Sequence, residues 1–253
     1  MSKKKFKPLR YDDIFKTVFN VERFMKRFLK ETLDLEVNDF VLVHNEMTIE
    51  NKNEKVKKLD LIIYTDKAII NLEINNNHNP GLLMRNLLYL FKLMGSSIDK
   101  KSNYLKVQKH IQLNLTWNLK KYLDYDISNK KCLRYSITDQ ENNQDLTDKV
   151  EIIIYNMDYY AEKCYNENNQ KDKFMMLLSA KKIEEMRKIS KGDSLMEEIT
   201  DLVEKLNADL DIWKKIAIEN DGEKLYESYV EYGKEQGIKK GIEQGMKKGI
   251  EQE

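Results

Sequence analysis

At 253 residues the chain can hold one sizeable core with an appended piece, or two small domains. Lys and Arg number 44 against 43 Asp and Glu, and the resulting net charge of +1 excludes a globally basic nucleic-acid coat while leaving room for a local patch. Hydrophobic residues at 41% supply a core beneath a surface that must accommodate 34% charged residues.

The first ten residues hold Lys3, Lys4, Lys5, Lys7 and Arg10. Residues 1–10 therefore read as a basic arm, either solvated or phosphate-binding. Asp12 and Asp13 are placed to cap a helix, and Ile14, Phe15, Val18, Phe19, Phe24, Phe28, Leu29 and Leu33 follow at helical spacing as a core stripe. A strand is predicted over 39–49. The segment LDLIIYTDKAIINLEI then reads as a hairpin turning at Thr65, Asp66, Lys67 and Ala68. Pro80 and Gly81 open a helix running to about Ile98. Further strands are predicted in 107–117, 132–139 and 150–158, and helices throughout from Asn168. This order points to a mixed sheet flanked by helices, in an α/β or α+β sandwich, with a helical appendage over 168–232.

The last segment, 233–253, is different. Gly233, Gly237, Gly241, Gly245 and Gly249 recur at every fourth position, accompanied by Ile238, Ile242, Met246 and Ile250. On a helix these make two adjacent stripes that drift around the axis. Each glycine costs up to about 1 kcal/mol relative to alanine, so such a helix needs a close partner, and the segment is either a frayed tail or a homo-oligomerisation element. Cys132 and Cys164 form no CxxC pair, and His44, His78 and His110 lack ligand spacing, which argues against structural zinc. Two separate cysteines and the lack of a signal peptide lead us to expect a cytoplasmic protein. No apolar run approaches the roughly 18 residues that would cross a membrane.

The residues with the most chemistry lie in the hairpin. If its loop is Asp66–Lys67, Asp60 faces Glu73 and Lys58 faces Asn75, all on one side of the sheet. Leu59, Leu61, Ile63, Ile70, Leu72 and Ile74 line the other side as a core face, which sets this register. Ile62 and Ala68 are read on the acidic side. Opposed carboxylates repel, and a divalent cation such as Mg²⁺ or Mn²⁺ removes that cost. The other reading is an exposed hairpin edge whose acids serve solubility. Glu46, in the preceding strand, is a candidate to complete the acidic cluster.

YDDIFKTVF, KKLDLII, IINLEINN, the Arg85 and Tyr89 of LLMRNLLYLF, and the glycine-repeat tail occur in that order. This ordered set resembles the transposase-associated branch of the PD-(D/E)XK nucleases, also described as recombination-promoting nucleases, over roughly residues 11–250. The resemblance implies a restriction-endonuclease-like core over 11–167 and metal-dependent DNA cleavage. Asp60 and Glu73 would be its catalytic and metal-binding acids, with the Ile74 carbonyl as a further ligand. Arg85 and Tyr89 would support the site from the next helix. The position that is commonly lysine, or glutamine in this branch, is Asn75 here, and Lys58 is a candidate substitute for the missing cation.

Two functions follow from this reading. One is a Mg²⁺-dependent DNA endonuclease of mobile-element, recombination or phage-defence context. The other is a nuclease-fold module that binds DNA or protein after losing efficient cleavage. An oligomerisation protein built on the glycine repeat is a third. No GxSxG elbow, Walker A loop, dinucleotide fingerprint or HExxH is present.

Overall fold

The computed structural model describes residues 6–43, 46–47, 57–58, 61–76, 81–97, 104, 107–163 and 169–208. The chain divides into two compact units, Met1–Asp209 and Leu210–Glu253, and the described residues belong to the first. The glycine repeat lies outside them, as does Asp60.

The sheet is built from β1 (Phe40–Val43), β4 (Leu61–Thr65), β5 (Ala68–Asn75), β6 (Lys109–Thr116), β7 (Cys132–Tyr135) and β8 (Val150–Asn156). Their spatial order is β1-β4-β5-β6-β8-β7. β5, β6 and β8 run parallel, and β1, β4 and β7 join antiparallel at the two flanks. A separate ladder pairs β2 (Glu46–Met47) with β3 (Lys57–Lys58). The β4–β5 hairpin has the anticipated register, with Leu61 opposite Leu72 and Ile63 opposite Ile70. Its loop is closed by a side chain: Thr65 Oγ1 accepts from the N–H groups of Lys67 and Ala68 at 3.1 and 2.8 Å. Strand parity corrects one expectation. Ala68 shares the side of Ile70 and Leu72, and it is Ile69 that joins Ile62.

Seven α-helices and a short 3-10 turn (Leu119–Lys121) among the described residues complete the unit: α1 (Asp12–Phe19), α2 (Glu22–Leu33), α3 (Leu82–Ser96), α4 (Met157–Glu162), α5 (Gln170–Ser179), α6 (Ile183–Ser190) and α7 (Ser194–Ala208). The stripe expected after Asp12 and Asp13 is split at Asn20 and Val21 into α1 and α2. The two acids lie in the first turn of α1, where they favour the helix dipole, and neither caps it. Of the strand expected over 39–49, Phe40–Val43 and Glu46–Met47 form β1 and β2, which belong to different sheets, and 44–45 and 48–49 lie outside the described residues. Of the 150–158 segment, Met157 and Asp158 begin α4 instead of continuing the strand.

One face of the sheet packs on α1, α2 and α5. Phe15, Phe19, Phe28 and Phe174 form its aromatic centre, with Phe15 edge-on to Phe28 at 5.4 Å. Tyr155 of β8 extends into this layer, and its hydroxyl donates to the Thr32 carbonyl at 2.5 Å. From Phe6 onward the basic arm is docked: Leu9 is buried, and Asn207 of α7 both accepts from the Lys7 N–H at 2.7 Å and donates to its carbonyl at 3.0 Å. The other face is covered over β5 and β6 by α3, through Leu82, Asn86, Tyr89, Leu90 and Leu93, and over β8 by Leu119, Leu123 and Ile127 from the segment after β6. This arrangement, a mixed sheet between helical layers, is consistent with a restriction-endonuclease-like fold. No helix among the described residues is long and apolar enough to cross a membrane.

Candidate active site

The odd-numbered residues of β5 and the even-numbered residues of β6 project toward α3. Apart from Ile69 these are polar: Asn71, Glu73 and Asn75 beside His110, Gln112, Asn114 and Thr116. Alternation of this kind ordinarily marks a solvent-facing strand surface. Here α3 covers it, and Asn71, Glu73, Asn75, Gln112, Asn114 and Thr116 are all buried. Burying polar groups costs free energy unless they are hydrogen-bonded, so each must find a partner within this layer.

Most of them pair with one another. Asn71 Nδ2 donates to Gln112 Oε1 at 2.7 Å, and Gln112 Nε2 donates to Asn114 Oδ1 at 3.0 Å. Asn114 Oδ1 also accepts from Asn86 Nδ2 of α3 at 2.6 Å, while Asn114 Nδ2 donates to the Ile153 carbonyl at 3.2 Å. These four amides were not singled out from the sequence. The signal available was the polar alternation in two neighbouring strands together with Asn86 on the apolar stripe of α3.

Glu73 is only 1% exposed and sits near the C-terminal end of β5, beside Asn114 of β6. Arg85, in the first turns of α3, brings Nη2 to 3.2 Å from Glu73 Oε2. Its guanidinium also lies over the ring of Tyr89 at 5.7 Å, one turn further along α3. Tyr89 is otherwise packed with Val43, Ile62, Ile69 and Leu93. Thus the structure gathers Glu73, Arg85 and Tyr89, three of the residues singled out from the sequence.

The remaining candidates are placed less directly. Asn75 is buried, and its Nδ2 donates to Thr116 Oγ1 at 3.2 Å. Ile74 is half-buried on the opposite side of β5. Lys58 lies in β3, where its backbone partner is Glu46, and the described ladder of Asn75 runs to Thr116. The side chain of Asn76 donates to the Arg10 carbonyl, which ties the end of β5 to the arm before α1. Near Asn86 a groove of about 270 Å³ opens between α3 and β8, walled by Leu83, Leu87, Leu123, Ile152 and Ile154. It carries no carboxylate, so chemistry at Glu73 lies outside it.

The model of the PD-(D/E)XK nuclease family transposases matches residues 9–231. The chain belongs to this family. No curated protein and no solved structure matches it significantly. Family membership supports a nuclease-type function, and PD-(D/E)XK nucleases generally use divalent metals. Glu73 fits that requirement chemically, as a buried hard-oxygen donor of the kind Mg²⁺ and Mn²⁺ take. Among the described residues no group of three or more His, Cys, Asp or Glu comes together.

At the far end of the same polar face, His110 is buried beside Ser97, with Nε2 3.0 Å from the hydroxyl. Its Nδ1 is 2.9 Å from the Gln108 carbonyl, which can only accept, so Nδ1 carries the proton of the neutral ring. Burial lowers its pKa below the ordinary 6.5, partly opposed by the Gln108 carbonyl. The unfolded chain therefore takes up this proton first. The contribution of His110 to stability is complete above pH 6.5 and is lost as the pH falls through that value toward the lower native pKa. Urea midpoints at pH 7.5 and 5.5 should separate in wild type and draw closer in His110→Gln.

Proposed function

We propose that this protein is a Mg²⁺- or Mn²⁺-dependent DNA endonuclease of mobile-element, recombination or phage-defence context. The observation that carries this reading is Glu73, a nearly fully buried carboxylate held at 3.2 Å from the Arg85 guanidinium inside a family-matched domain. A structural role alone gives no reason to bury a carboxylate there, since desolvation of the charge opposes folding.

In this reading Glu73, Asp60 and the Ile74 carbonyl hold the cation, with Glu46, in the earlier strand β2, as a supporting acid. Asp60 lies outside the described residues; it immediately precedes Leu61 in sequence, and Leu72, the partner of Leu61 across the hairpin, immediately precedes Glu73. When bound, the metal supplies Lewis acidity toward the phosphate and lowers the pKa of its water. The chain's own part is to hold the scissile phosphate and balance its charge. Asn75 offers a neutral amide where a lysine would offer charge, so a cation must come from elsewhere. Arg85 is favoured over Lys58 for that role because its guanidinium already adjoins Glu73. Tyr89 keeps the guanidinium from swinging to solvent through its ring face.

The test is nicking of supercoiled plasmid in Mg²⁺ or Mn²⁺ by wild type and by Asp60→Ala. Nicking by wild type alone is the expected outcome. Equal nicking by both would indicate a contaminant, and none by either would leave the second reading. That second reading is a nuclease-fold module that binds DNA or protein without efficient cleavage. It is favoured by one observation: the Asn75 amide is directed to Thr116 inside the fold. Self-association through the glycine repeat is a separate proposal, which a comparison of mass in solution with and without residues 233–253 would decide.

A further inference from the structure

We infer that Asn86 is a positioning residue that holds the Arg85 guanidinium against Glu73. This rests on the nuclease reading only for its consequence in catalysis; the positioning itself can be tested without it.

The orientation of the buried amides is determined by one backbone group. The Ile153 carbonyl accepts only, so the Asn114 amide must turn its NH₂ toward it, at 3.2 Å. Asn114 Oδ1 then faces Gln112 and Asn86, and Asn86 must present its own NH₂ to that oxygen, at 2.6 Å. This leaves Asn86 Oδ1 directed at the neighbouring side chain, where it accepts from Arg85 Nε at 3.3 Å. Arg85 Nη2 in turn donates to Glu73 Oε2 at 3.2 Å. A continuous chain of donors and acceptors thus runs from the backbone of β8, through β6 and α3, to the carboxylate on β5.

The direction of this chain matters because Arg85 is the more exposed partner in the site. Its side chain is 38% exposed, whereas Asn86 is 2% exposed and Asn114 1%. A half-exposed arginine has many rotamers, and ordering it has an entropic cost that a single contact to Glu73 does not offset. Asn86 fixes Nε, Tyr89 fixes the face of the guanidinium, and Nη2 is left aimed at Glu73. With asparagine at position 75, this arrangement keeps the Arg85 charge beside the carboxylate.

The first experiment follows the Arg85 Nε–H signal by ¹⁵N NMR on the full, metal-free chain. In Asn86→Ala its exchange with solvent should quicken about 3- to 10-fold, the factor expected for loss of one hydrogen bond. The Arg134 Nε–H signal, on the far flank of the sheet, serves as the internal control and should not move. Unchanged Arg85 exchange would overturn the inference, whether or not the protein cleaves DNA.

The second experiment is a cycle of plasmid nicking by wild type, Asn86→Ala, Arg85→Ala and the double variant. Asn86→Ala should lower the rate roughly 10- to 100-fold, as loss of an outer partner of a metal site typically does. In the Arg85→Ala background it should have no further effect, because Asn86 then has nothing to position. A residue that merely supported the fold would lower both backgrounds by the same factor, and that result would overturn the inference. Wild type that fails to nick DNA while Arg85 exchange behaves as expected supports the positioning and defeats only the nuclease reading.

Discussion

Replacing Glu73 with glutamine should abolish metal-dependent DNA nicking while leaving the protein as stable as wild type, or slightly more so. The two effects have separate causes. Catalysis loses the buried anionic donor, and the drop should exceed the roughly 10- to 100-fold typical of an outer metal partner. Folding loses a carboxylate that is 1% exposed and whose charge is costly to desolvate. Arg85 is 38% exposed, so water can serve its guanidinium when the charge on Glu73 is gone. Nicking rates and thermal midpoints of the two proteins, measured in parallel, give both quantities. Cleavage within twofold of wild type would remove Glu73 from the site, and a large fall in midpoint would make it a structural residue.

The largest effect on stability should come from cutting the amide ladder at one end. Asn71 is fully buried, its Nδ2 is bonded to Gln112, and its Oδ1 has no hydrogen-bond partner among the described residues. Gln112→Leu therefore leaves Asn71 buried with neither side-chain atom satisfied. We expect a cost of about 2–3 kcal/mol, the desolvation of an orphaned amide added to the lost bonds. Adding Asn71→Val should recover part of that loss, because the orphan is removed and a β-branched residue suits the strand. Urea denaturation of the single and double variants decides the matter. A double variant less stable than Gln112→Leu would show that packing volume, and not hydrogen bonding, governs this layer.

The hairpin and the residues on it were readable because a strand has a period of two. Leu61, Ile63, Ile70 and Leu72 keep one side of the hairpin wholly apolar while Asn71 and Glu73 fall on the other, and a slip by one residue would exchange the two sides of a strand. The observed pairing of Leu61 with Leu72 is the register that keeps them apart. Arg85 and Tyr89 were readable for a similar reason, since residues four apart on a helix share a face. The helix break at Asn20 and Val21 was not readable, because the apolar stripe continues across it with little change of phase.

What the amino-acid order determined, then, is local and periodic: the strands, their faces, the register of the hairpin, and the order of motifs that places the chain among the PD-(D/E)XK nuclease family transposases. The fate of the polar faces was decided only in three dimensions. His110, Gln112, Asn114 and Thr116 have the same alternation whether that side of β6 meets water or α3. Only the parallel pairing of β5 with β6, and the seating of α3 across both, brings Asn86 to Asn114 and Arg85 to Glu73. These contacts join residues far apart in sequence, Asn71 to Gln112 and Asn86 to Asn114 among them. Periodicity along one segment carries no information about such pairs, because it specifies which face is polar and not what covers it.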